Sequence, residues 1–182
     1  STSSRNISWG GWTLLTSKYY LGAMTDGKIE TTFDITYPQL SVTEFEGEGT
    51  EINPYKVKSL DDLVLLSDKV NSEEPTYGDN TKYARPYLGK YFRMESDIDM
   101  SGYRFEPIGA DWTHQFAGTF DGNGHTITGL TVNTGENGYA GLFGKVDTLS
   151  VIKNVKIDKA VIEAANYYAG VVAAWSLGNI LN

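Results

Sequence analysis

The sequence predicts a mainly β protein built as a solenoid, and three observations support this fold class. Residues that favour strands and turns are abundant, with 12 Tyr, 4 Trp and 20 Gly among 182 residues. A phrase of an aromatic residue followed by Ala and Gly occurs three times, and segments of alternating apolar and polar residues lie between the copies. Repetition every ~20–50 residues is typical of solenoids, and short strands with glycine corners favour a parallel β-helix.

The charge balance and the residue usage exclude several function classes. The chain carries 23 Asp and Glu against 15 Lys and Arg, a formal net charge of -8, so we expect no nucleic-acid binding. It has no cysteine, which excludes disulfide frameworks and thiolate metal sites. Because no apolar run approaches the roughly 20 residues of a membrane-spanning helix, we expect no membrane insertion of this chain.

Residues 1–53 are predicted to form a small β-rich N-terminal segment. Short strands separated by turn signals run from Ile7 to about Phe45. In one of them Phe33, Ile35 and Tyr37 alternate with polar residues, which is typical of a strand with one buried face.

Residues 54–90 are predicted to contain a capping helix followed by a surface loop. The helix is expected from Ser59 to Ser72, with Ser59 as its N-cap and Asp61 and Asp62 in its first turn. Leu60, Leu63, Val64, Leu66, Ser67 and Val70 fall on or beside one stripe. Such a helix needs an apolar surface to cover.

Residues 91–182 are predicted to form about three β-helix coils, with the last coil incomplete. The repeated phrase begins at Phe116, Tyr139 and Tyr168, 23 and 29 residues apart. Between the copies, the series Ile127, Leu130, Val132 corresponds in order to Ile152, Val155, Ile157. We therefore expect Ile127, Leu130, Ile152 and Val155 to form continuous internal ladders, and we expect further chain or another copy to cover the unfinished end.

Glycine and Asx residues mark the predicted corners of the coils. Gly118, Gly122, Gly124, Gly141 and Gly144 suit positions of positive φ or of close approach between coils. Asp121 and Asn123 can hydrogen-bond within their own turn.

Within residues 55–182, four sequence segments resemble the GLUG-motif repeat proteins, which are bacterial surface and secreted proteins. They are SLDDLVLLSDKVN, YFRMESDIDMSGYRFEPIG, FAGTFDGNGHTITGLTV and GLFGKVDTLSVIKNVKI. The resemblance implies a right-handed parallel β-helix opened by a capping helix, with Gly141, Leu142, Phe143 and Gly144 as the motif. The third copy departs from the motif, because Ala173 stands in place of its last glycine.

Candidate catalytic and metal-binding residues are few. His125 is either a base positioned by Asp121 or a residue of the turn, and its place within the repeated phrase favours the turn. Asp97 and Asp99, joined by Glu95, are weak candidates for a calcium site or a carboxylate pair, against a structural role. We predict no catalytic residue, no metal site and no cofactor.

Aromatic residues are the best candidates for ligand binding. Near the N-terminus these are Trp9, Trp12, Tyr19 and Tyr20, and in the first coil Tyr103 and Trp112. They are suited either to stacking on sugar rings and partner surfaces or to packing within the core.

By resemblance, the expected function is non-enzymatic adhesion or binding at a bacterial cell surface or outside the cell. A host glycoprotein, a glycan or another surface protein is the expected partner. The alternative is a noncatalytic β-helix region of a larger secreted enzyme, either an IgA-type protease or a polysaccharide-degrading enzyme.

Overall fold

The computed structural model describes residues 18–19, 33–34, 44–74, 84–134, 138–165 and 168–182. The chain divides into two units, Ser1–Ser41 and Val42–Asn182. In the first unit, strand β1 (Lys18–Tyr19) pairs antiparallel with β2 (Phe33–Asp34). The rest of the strands predicted between Ile7 and Phe45 lies almost entirely outside the described residues.

The second unit is mainly β and contains the predicted helix. Helix α1 spans Leu60–Ser72, and the Oγ of the N-cap Ser59 accepts a hydrogen bond from Asp62 N. Its Leu63, Leu66 and Val70 join the hydrophobic core as the predicted stripe requires, whereas Leu60 and Val64 are only partly buried. Leu65, which the predicted stripe did not include, is also buried. The strands are β3 (Tyr55–Val57), β4 (Tyr91–Met94), β5 (Ile98–Asp99), β6 (Thr119–Asp121), β7 (Thr126–Thr128), β8 (Thr131–Thr134), β9 (Phe143–Val146), β10 (Val151–Lys153), β11 (Lys156–Asp158), β12 (Val161–Ala164), β13 (Ala173–Ser176) and β14 (Asn179–Leu181).

The strands of the second unit form four parallel sheets. Their orders are β14-β10-β6-β4-β3, β11-β7-β5, β12-β8 and β13-β9. In three of the sheets the paired residues Ile127 and Ile157, Val132 and Ile162, and Phe143 and Ala173 lie 30 positions apart. Each sheet therefore receives one strand from each successive segment of about 30 residues.

The core consists of apolar side chains that follow this register. Phe92, Phe120 and Ile152 occupy successive paired positions and are almost completely buried. Phe116 packs against Phe92 and Phe143 against Phe120, and the ring centres of Phe116 and Phe143 are 5.0 Å apart. Continuous apolar packing between neighbouring segments is the main favourable contribution to their stability.

The predicted ladders were wrong in register, although their members are buried. Ile127 pairs with Ile157 and not with Ile152, which instead lies beside Phe120. The corner between Asp121 and Thr126 is two residues longer than the equivalent corner between Lys153 and Lys156. Because of this difference, residues after the corner are displaced along the sequence relative to residues before it when the two segments are compared. Alternation of apolar and polar residues does not reveal such a displacement.

The predicted alignment of the three aromatic-Ala-Gly phrases was correct for only two of them. Ala140 pairs with Ala169, so the phrases at Tyr139 and Tyr168 are equivalent. Phe116, however, pairs with Val146, while Ile108 pairs with Phe143. The chain from Ile108 to Phe116 is five residues longer than its partner from Phe143 to Val146, and the extra residues lie within a loop over 110–115.

Candidate functional site

The inserted loop over 110–115 is held in one conformation by polar contacts at its base. Asp111 Oδ1 accepts hydrogen bonds from the backbone N of Thr113 at 2.7 Å and of His114 at 3.0 Å. His114 Nδ1 lies 2.8 Å from the same oxygen. Asn71 Oδ1 on α1 accepts hydrogen bonds from the backbone N of Gly109 at 3.0 Å and of Ala110 at 2.9 Å. These contacts fix the loop against the strands and the helix.

Trp112 lies at the tip of this loop, directly over a buried lysine. Lys145 Nζ is 4.0 Å from the centre of the Trp112 ring and donates a hydrogen bond to Trp112 O at 3.0 Å. Lys145 is only 3% exposed, whereas Trp112 is 57% exposed. One face of the indole is thus engaged by a cation, and much of the ring remains open to solvent.

Three further aromatic rings form a cluster that reaches Lys145 through Trp175. Tyr139 and Tyr168 stack with ring centres 5.0 Å apart, and Tyr168 meets Trp175 edge to face at 5.0 Å. Trp175 is the register partner of Lys145 on the neighbouring strand. We name Trp112, Tyr139, Lys145, Tyr168 and Trp175 together the aromatic surface.

Charged groups of both signs lie around the aromatic surface. Arg85 forms a bidentate contact with the buried Asp147, with distances of 2.7 and 2.8 Å. Burial lowers the pKa of Lys145, and the carboxylates of Asp111 and Asp147 oppose this effect. Burial also acts to raise the pKa of Asp111, but hydrogen bonds, first from His114 and then from Thr113, outweigh it and leave this pKa lowered. Arg85 and Asp147 thus neutralise each other, while Lys145 and Asp111 contribute one charge of each sign.

The predicted acidic candidates lie elsewhere and do not converge on a metal site. Asp97 Oδ1 accepts a hydrogen bond from Thr126 N at 2.8 Å and lies 3.3 Å from His125 Nδ1. The Thr126 hydrogen bond, followed by that of His125, lowers the pKa of Asp97. Asp99 Oδ1 accepts a hydrogen bond from Ser101 N at 2.9 Å. Within the described parts of the chain, no three His, Cys, Asp or Glu residues form a group able to hold a metal ion.

His125 is not positioned by Asp121, contrary to the catalytic alternative considered for this turn. Asp121 Oδ1 accepts hydrogen bonds from Asn123 N at 2.9 Å and from Asn154 Nδ2 at 2.8 Å, and its other oxygen lies 3.2 Å from Lys153 Nζ. All of these partners belong to its own corner or to the next one. The carboxylate thus connects two successive segments.

The glycines of the repeated phrases lie where neighbouring backbones come close. A Cβ on Gly118, Gly122, Gly141 or Gly144 would lie 2.1–2.8 Å from a backbone oxygen. Gly124 instead has open space around it and a φ of +79°. Leu142 and Phe143, between the last two motif glycines, are completely buried. These residues occupy scaffold positions.

Of the aromatic candidates from the sequence that the structure describes, Trp112 lies on the aromatic surface. Trp9, Trp12, Tyr20 and the side chain of Tyr19 lie outside the described residues. Tyr103 is half-buried and packs against the core, so of these two described candidates Trp112 is the largely exposed ring. The 29-residue spacing of Tyr139 and Tyr168 was the signal that could have revealed the stacked pair. No sequence signal marked Lys145.

Comparisons with known proteins find relatives that the chain matches over only part of their length. No protein-family model matches the chain. Over 149 residues, or 76% of its length, the chain is 34% identical to halomucin of Haloquadratum walsbyi. Over 146 residues, or 75% of its length, it is 32% identical to a protein of Evansella cellulosilytica named "Putative Gly-rich membrane protein". The chain spans only 2% and 15% of the lengths of these relatives.

One solved structure shares the fold. It is the crystal structure of a Bacteroides ovatus chain named "putative immunoglobulin A1 protease", with a TM-score of 0.51 and 20% sequence identity. The match covers 70% of this chain and 32% of the other. Among the described residues, the only helical segment is too short and too polar to cross a bilayer.

Proposed function

We propose that the chain is a non-enzymatic binding module of an extracellular or cell-surface protein, and that it contacts its ligand through the aromatic surface. The observation that carries this proposal is Trp112, a large and exposed ring fixed from behind by Lys145. Trp and Tyr are the side chains most often found at the energetic centre of binding interfaces.

The scaffold we propose is a right-handed parallel β-helix of the GLUG type. Support comes from four parallel sheets, each of which takes one strand from every segment of about 30 residues. A β-helix places side chains of neighbouring segments side by side, as it does for Lys145 and Trp175. Such an array offers an extended face for adhesion without a catalytic pocket.

The proposed location draws on the relatives. One relative is named a membrane protein, and another is named halomucin. Both are far longer than the chain, so we expect the module to be one part of a larger surface polypeptide. Antibody labelling of intact cells of the source organism should detect it without permeabilisation, and labelling only after permeabilisation would contradict the location.

Binding itself is tested with the purified 182-residue chain. We expect it to bind on a glycan array or to capture a partner in pull-downs from host or bacterial surface extracts. The Trp112→Ala variant should lose that binding while keeping its circular dichroism spectrum. If the native chain binds nothing in either format, the binding function is wrong.

A second candidate function is a noncatalytic region of a larger secreted enzyme. The observation that favours it is the fold shared with the Bacteroides ovatus chain named for IgA1 protease activity. The complete natural polypeptide distinguishes the two functions. A zinc-protease helix motif outside residues 1–182 would favour the enzyme, and further copies of the aromatic-Ala-Gly phrase would favour the adhesin.

A further inference from the structure

We propose that the solvent-facing side of Trp112 is a stacking site for a sugar ring of a neutral glycan, and that Lys145 is a positioning residue that holds the indole in place. This inference rests on the proposed binding function and names its ligand class and its contact point.

The first argument is the rigidity of an exposed apolar ring. Trp112 is 57% exposed, yet Lys145 contacts both its ring and its backbone oxygen. The loop beneath it is further fixed by Asp111 and by Asn71 on the helix. A side chain ordered before binding loses little conformational entropy when a ligand stacks on it, so more of the contact energy appears as affinity.

The second argument concerns ligands that carry charge. Lys145 already occupies one face of the indole, so a cationic ligand approaching the other face would be opposed by that ammonium group. An anionic ligand would approach a chain with a net charge of -8, and the half-exposed Asp111 carboxylate belongs to the same loop as Trp112. Arg85 and Asp147 neutralise each other nearby. The surface therefore favours a neutral ligand.

The third argument concerns the shape and polarity of that ligand. A sugar ring presents an apolar C–H face that matches the flat indole and hydroxyl groups at its edge. Asp111 precedes Trp112 in the chain, and its 51% exposed carboxylate, which already contacts Thr113 and His114, can accept a further hydrogen bond from such a hydroxyl. On the next segment, the partly exposed Tyr168 and Trp175 add further aromatic side chains. A neutral oligosaccharide uses all of these features.

The test measures binding of neutral and acidic oligosaccharides by calorimetry. The probes are maltohexaose, cellohexaose and mannohexaose as neutral chains, with alginate and hyaluronan oligosaccharides as acidic ones. We expect at least one neutral probe to bind, and Trp112→Ala to weaken it by about tenfold or more. Trp112→Tyr should retain part of the affinity, because a flat ring remains. Leu149→Ala, which shortens another exposed apolar side chain, should leave the affinity unchanged.

The positioning role of Lys145 has its own readout. Lys145→Met keeps an apolar stem but removes the cation and the hydrogen bond to Trp112 O, so we expect several-fold weaker binding. Lys145→Arg restores both contacts and should restore affinity. If both variants bind as weakly as each other while remaining folded, the positioning role is wrong.

The outcomes separate this inference from the proposed function. Neutral-glycan binding that survives Trp112→Ala, or binding of acidic probes alone, overturns the inference. Capture of a protein partner without any glycan binding also overturns it, while the binding function stands. If the native chain shows no binding of any kind, both the inference and the proposed binding function are wrong.

Discussion

Gly122 and Gly124 lie two residues apart in one corner but are required for different physical reasons. A Cβ at Gly122 would lie 2.1 Å from the backbone oxygen of Asn154 on the next segment. Gly124 has nothing within 4 Å but adopts a φ of +79°. We therefore expect Gly122→Ala to destabilise the protein by about 3 kcal/mol, because backbone must move. Gly124→Ala should cost only about 1 kcal/mol, from conformational strain.

Urea unfolding of the two variants measures this difference. Gly102→Ala is the matched control, since Gly102 also has a φ of +79° and open space around it. It should resemble Gly124→Ala. Equal losses for Gly122→Ala and Gly124→Ala would show that close contact between segments does not govern the corner.

The Asp111 carboxylate makes the Trp112 loop sensitive to acid. Its pKa is lowered, because the hydrogen bonds from His114 and Thr113 outweigh the effect of burial. A lowered carboxyl pKa contributes stability above the ordinary value of 3.8, and this contribution is lost as the pH falls through the lowered value. Between pH 5 and pH 2, the melting temperature of the native protein should fall further than that of Asp111→Asn. Equal slopes for the two proteins would contradict this role.

At the scale of elements, the helix was predictable and the strand register was not. Every signal for α1 is local: the Ser59 cap, the acidic first turn and the apolar stripe that includes Leu63 and Val70. Register depends on comparing distant segments, and two local differences in length disturb that comparison. They are the longer corner after Asp121 and the inserted loop over 110–115.

The same contrast explains what was missed in the candidate site. Trp112 was identifiable as an aromatic residue, but its exposure depends on a loop whose boundaries follow from the register. Lys145 lies beneath that loop because its strand pairs with the segment that carries the insertion. The sequence predicts the residue types of the surface, whereas folding determines which of them meet.

A pair of introduced cysteines distinguishes the observed register from the one predicted from sequence. Thr126 and Lys156 are register partners on neighbouring parallel strands, and the chain has no native cysteine. Adjacent strands lie about 4.8 Å apart, within the range that a disulfide spans. We expect Thr126→Cys combined with Lys156→Cys to form a disulfide readily under mild oxidation. Non-reducing electrophoresis after proteolysis detects the linked peptides.

The control pair follows the incorrect register. If Ile127 lay beside Ile152, Thr126 would lie beside Val151, so Thr126→Cys combined with Val151→Cys would form the disulfide instead. We expect this second pair to stay reduced. Preferential oxidation of the control pair would reject the observed register.

For the molecule as a whole, stability should depend on how completely each segment is covered by the next. Phe92, Phe120, Ile152 and Ile180 occupy four successive paired positions, and the first three are at most 1% exposed while Ile180 is 46% exposed. Ile180 lies on β14, which pairs with β10 along one edge and has no second partner among the described strands. The same residue type thus occurs in a covered and in an uncovered position of one ladder.

Ile152→Ala and Ile180→Ala measure what that coverage contributes. Ile152→Ala leaves a cavity between two covered segments and should lower the free energy of unfolding by about 2–5 kcal/mol. Ile180→Ala removes side-chain atoms that are already partly in water, so we expect a loss of about 1 kcal/mol or less. Chemical unfolding monitored by circular dichroism gives both values. A loss at Ile180 as large as that at Ile152 would mean that the last strand is covered in solution, and ladder position alone would then not determine stability.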